Sequence, residues 1–89
     1  MTHNDDQTFD PMIYDAMREL ETRIGGTYIA WAREAATPAE AAHWKNEMYK
    51  LSDEVRAVDS RSRSAINAKR EQLSVLLASL PVHAPALSA

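Results

Sequence analysis

The chain has 89 residues, a net charge of −3 and no Cys. A domain of that length buries only about 60% of its unfolded surface, and without thiols neither disulfides nor a Cys-ligated zinc can offset the shortfall, so well-packed helices or oligomerisation must. The opening residues are polar and acidic, with no apolar signal core, and no stretch nears the roughly 18 apolar residues of a membrane span, so a cytoplasmic protein without membrane contact is expected.

Residues 1–9 carry Asp5 and Asp6 and no Lys or Arg, and are expected to form a disordered acidic tail. Asp10-Pro11 is a helix start: Asp accepts an N–H bond as N-cap, and Pro at the first helical position loses no hydrogen bond. The helix that follows is predicted over about 11–36. Its apolar row, Ile13, Met17, Leu20, Ile24, Tyr28, Trp31 and Ala35, advances in threes and fours along one face. Gly25-Gly26 interrupts it, as a close-packing point, a kink or a break. The row keeps its phase across the pair, which favours a continuous helix.

Thr37-Pro38-Ala39-Glu40 reads as a capping box, with Thr37 as the cap and Glu40 reaching back. So short a connection makes the flanking helices antiparallel. The second helix is predicted over about 38–80, since no Gly or Pro appears between Pro38 and Pro81. Its face runs through Trp44, Met48, Leu51, Val55, Val58, Ser62, Ile66, Lys69, Leu73, Leu76 and Leu80, with the period of a straight helix rather than that of a strict coiled coil. The doubtful place is Asp59-Ser60-Arg61-Ser62-Arg63-Ser64, where serines lower helix propensity.

Two all-α architectures diverge there. If the helix continues, supported by Asp59 and Arg63 at i, i+4, the result is an antiparallel helical hairpin spanning residues 10–80. Its second arm of about 64 Å overhangs the first by roughly 25 Å. The overhang would display a leucine stripe too large to leave wet on a monomer. If the chain breaks near Ser60, a three-helix bundle hides those leucines inside. The hairpin is the principal expectation and the bundle its alternative. Residues 81–89, with Pro81 and Pro85, cannot continue the helix; an extended, disordered tail is expected, in which Val82 and Leu87 could dock in a partner's groove.

The side-chain inventory argues against an enzyme. There is no Cys nucleophile, Gly-rich phosphate loop or Ser in an elbow motif. Glu40-x-x-His43 has the spacing of ferritin-like di-iron helices, but the capping box already accounts for Glu40, so neither metal nor cofactor is expected. His43 and Glu47 read as a surface pair. Trp31, Trp44, Tyr28 and Met48 flank the turn and should meet as an aromatic plug fixing helix register. Residues 61–89 carry Arg61, Arg63, Lys69 and Arg70 against Glu71 alone. That excess is ordinary for a solvated helix face, and it lacks the aromatic support a nucleic-acid footprint needs. Cations beside a leucine stripe suit an acidic groove on another protein. Arg63, Ile66, Lys69, Arg70, Leu73, Leu76, Leu77 and Leu80 are therefore the candidate partner-binding residues.

The block His43-Trp44-Lys45-Asn46-Glu47-Met48, continued by Asp53-Glu54-Val55-Arg56-Ala57-Val58-Asp59 and Ala68-Lys69, resembles small helical bacterial proteins encoded beside kinase-type toxins of the zeta class. The resemblance spans roughly residues 10–80. It implies an antitoxin, one helix of which occludes the toxin's nucleotide site within a larger assembly; it assigns no individual residue. The Ser/Thr-x-x-x-Glu-Gly/Asn pattern of antitoxins acting on AMP-transferring Fic enzymes does not occur. The expected function is thus a helical protein-binding module, an antitoxin or inhibitory subunit acting through its C-terminal helix. A structural homodimer forming a four-helix bundle and a nucleic-acid accessory protein are the alternatives.

Overall fold

The computed structural model describes residues 9–87; the acidic-tail expectation for residues 1–8 lies outside them. The described residues form α1 (Pro11–Glu34), α2 (Pro38–Arg56) and α3 (Arg63–Ser79), with no strand among them. The all-α class and the α1–α2 hairpin stand. The single helix over 38–80 does not: it is interrupted between Arg56 and Arg63, and the chain takes the three-helix course.

Local hydrogen bonds account for the interruption. Ala57 closes α2 with its N–H on the Asp53 carbonyl. The Asp59 side chain accepts from the Arg61 N–H at 2.9 Å, and its carbonyl from the Ser62 N–H at 3.0 Å. Ser62 then caps α3, its hydroxyl accepting from the Ala65 N–H at 3.2 Å. Asp and Ser thus offer the backbone an alternative to the helical ladder. Asp59 has no part in an i, i+4 pair; Arg63 reaches instead to Asp10, 3.3 Å away. Burial supplies the rest of the driving force, because folding back encloses Ile66 and Leu73.

The other two helix starts form as expected. Asp10 caps α1 by accepting from the Met12 N–H at 3.0 Å. Thr37 caps α2 by accepting from the Glu40 N–H at 3.1 Å, while Glu40 reaches one residue beyond the reciprocal box, to the Ala36 N–H at 3.3 Å. α1 passes through Gly25-Gly26 without a break.

Long-range contacts fix the directions. Arg63 beside Asp10 puts the start of α3 at the start of α1. At the other end the Trp31 indole N–H donates to the Val82 carbonyl at 3.2 Å, and His83 lies 3.4 Å from Glu34. α3 therefore runs parallel to α1, and α2 antiparallel to both. α1 is the spine: α2 and α3 each pack along it and touch each other sparsely. The core is Met17, Ile24, Tyr28, Trp31, Ala32, Trp44, Leu51, Val55, Ile66 and Leu73. Leu80 is extended (φ −76°, ψ 127°), the chain bends at Val82 and His83, and Ala84 packs against the core. This segment is laid over the end of the bundle, where the sequence suggested a tail free of it.

Candidate binding surface

The residues singled out for partner binding divide by the phase of α3. Ile66 and Leu73 are core residues, each 1% exposed, and Leu76, Leu77 and Leu80 are half-buried against that core. The overhanging stripe that argued for a partner therefore faces α1. The cations ring it: Arg63 pairs with Asp10, Lys69 bridges to Glu54 on α2 at 3.3 Å and to Gln72 at 2.6 Å, and Arg70 donates to Asn67 at 3.0 Å. With Arg63 held by the cap of α1 and Lys69 by a carboxylate of α2, α3 is less basic in the fold than along the chain.

The opposite face of α3 presents Ala68, Gln72, Val75 and Ser79, all exposed at steps of four and three. Val75 is 66% exposed. Beside this row, where α2 gives way to α3, lies an open groove of about 530 Å³ lined by Val58, Ala65, Ala68, Lys69 and Gln72. Spacing alone points to the leucines and passes over Val75. Its phase, off the row through residues 73, 76 and 80, is the one sequence signal that separates it from them.

The aromatic plug forms as expected. Trp31 and Trp44 meet edge to face at 4.8 Å, and Tyr28 stacks on Trp44 at 6.0 Å with 10° between the planes. His43 stands edge-on to Trp44 at 4.5 Å, while Glu47 pairs with Lys50 at 3.1 Å, so the expected His43–Glu47 pair is replaced by these two contacts. Burial, then the carboxylates of Glu47 and Glu54, push the Tyr28 phenol above its ordinary value. The Glu40-x-x-His43 spacing gathers no further ligand: among the described residues no three His, Cys, Asp or Glu side chains converge. Among them, too, no helix is long and apolar enough to cross a membrane.

Comparison of the chain with family models, with curated proteins and with solved structures finds no match.

Proposed function

We propose that this chain is a non-catalytic, cytoplasmic protein-binding module, acting as an antitoxin or a comparable inhibitory subunit, and that it holds its partner on the outer face of α3. The observation that carries the reading is the groove of about 530 Å³ beside exposed Val75. Its walls are Val58, Ala65 and Ala68, with Lys69 and Gln72 at the edge, so a partner's side chains would find apolar area for affinity and polar groups for orientation. The resemblance to proteins encoded beside kinase-type toxins supplies the class of partner. The inward stripe, Ile66, Leu73, Leu76, Leu77 and Leu80, serves here as scaffold, and Lys69 is the one earlier candidate that lines the groove.

The test is Ala68→Arg combined with Val75→Asp. Both positions are exposed, so the far-UV helical signal and melting temperature should be retained while co-purification with the product of the adjacent gene is lost. A complex that survives the double substitution excludes this face. Sedimentation of the isolated chain adds a second outcome: a wild-type dimer that becomes a monomer on substitution makes the groove a self-interface and replaces the antitoxin reading.

A further inference from the structure

Ten Lys and Arg side chains are present. Arg18, Lys50, Arg56, Arg63 and Lys69 each lie within 4.0 Å of a carboxylate, and Arg70 donates to Asn67. Among the described residues, Arg23, Arg33, Lys45 and Arg61 have no such partner. Two of these four, Arg33 from α1 and Lys45 from α2, line one groove of about 310 Å³ with Ile29 and Ala32. The positions one helical turn from them are Ile29, Ala30, Ala36 and Thr37 around Arg33, and Ala41, Ala42, Met48 and Tyr49 around Lys45. None is a carboxylate. In a chain of net charge −3, two cations from different helices with no carboxylate partner among the described residues thus line one groove with Ile29 and Ala32, on α1 and α2 rather than on α3.

We propose that this groove seats an acidic residue with an apolar neighbour on a partner protein. The two cations would hold the carboxylate, the guanidinium by two parallel N–H bonds and the ammonium as a point charge, while the neighbour lies against Ile29 and Ala32. The inference rests on the protein-binding reading and adds a second contact, on residues of α1 and α2, none of which lines the α3 groove.

The probe is a synthetic peptide of alternating leucine and glutamate, titrated into the ¹⁵N-labelled full chain beside its leucine–glutamine counterpart. Amide shifts are expected at Ile29, Ala32, Arg33 and Lys45. Binding should weaken about tenfold for the glutamine peptide, and equally for the Arg33→Gln/Lys45→Gln variant, the scale of two exposed ion pairs. The Arg23→Gln/Arg61→Gln variant removes the same net charge and should bind as the wild type does. Equal weakening in both variants would reduce the effect to overall charge and overturn the proposal. So would inorganic phosphate moving the same amides at the same concentration. The Ala68→Arg/Val75→Asp variant should titrate like the wild type, so failure of the α3 groove and failure of this one are separate results.

Discussion

Gly25 and Gly26 lie in mid-helix, and neither has a positive φ. A Cβ on Gly26 would meet nothing within 4 Å, and one on Gly25 would stand in ordinary contact, 3.5 Å from Met48 Cγ. No local geometry requires glycine at either site, so their conformational freedom is only a cost. Gly26→Ala should stabilise the fold by about 1 kcal/mol and raise the melting temperature by about 4–8 °C; an unchanged or lower midpoint in a calorimetric scan would contradict this. Tyr28 gives a pH dependence. Its phenol is held above its ordinary value by burial first and by Glu47 and Glu54 next, with Lys50 opposing. The folded chain therefore keeps this proton when the unfolded chain, titrating near about pH 10, has lost it. Stability is complete below that pH and falls as pH rises through the folded value. Urea unfolding at about pH 8 and pH 11 should show a smaller alkaline loss for Tyr28→Phe than for the wild type, with the two curves converging if Tyr28 carries no linkage.

At the scale of elements, the behaviour of α3 follows from which way its apolar row faces. Leu73 is 1% exposed and packs in the shared core, so Leu73→Ala should cost about 2–5 kcal/mol and lower far-UV helicity near the unfolding temperature. The exposed Val75→Ala should change stability by well under 1 kcal/mol. Equal, small effects at both positions would mean that α3 does not pack on α1. The starts of α1 and α2 were legible because each depends on a few neighbouring residues: Asp10-Pro11 and Thr37-Pro38 act through their own side chains and ring geometry. The Trp31–Trp44 meeting was legible too, since a short turn forces residues on either side of it together. The break after Arg56 was not, because Asp59 and Ser62 can sit in a helix or divert it, and the choice is made by how much of Ile66 and Leu73 the rest of the chain can cover. That quantity depends on residues some fifty positions away in α1 and is absent from any local window. The groove beside Val75 was hidden for the same reason, since it exists only once the leucines have turned inward.

The whole described chain is a narrow body, 58 × 21 × 20 Å, with α1 as its spine and the C-terminal segment laid over the aromatic end. Pro81 and Pro85 bias that segment to an extended backbone. It is held by the Trp31 indole N–H on the Val82 carbonyl, by Ala84 against the core and by His83 beside Glu34, while the Val82 side chain is 85% exposed. The attachment thus runs through a backbone carbonyl and a small side chain, and sequence reading for apolar anchors finds Val82 for the wrong reason. Deleting residues 81–89 should remove the acceptor from Trp31 and admit water to a side chain that is otherwise buried. A hydrogen bond of this kind contributes about 1 kcal/mol net, and removing Ala84 from the core it packs against uncovers some apolar area, so the truncated chain should lose about 1–2 kcal/mol. Its tryptophan emission should shift to the red, and its far-UV spectrum at low temperature should stay that of three helices, because among the described residues no helix ends later than Ser79. His83→Ala should do little, since its contact with Glu34 is exposed. Emission and midpoint identical to those of the full chain would mean that the segment does not rest on Trp31 in solution, and that the aromatic end is closed by α1 and α2 alone.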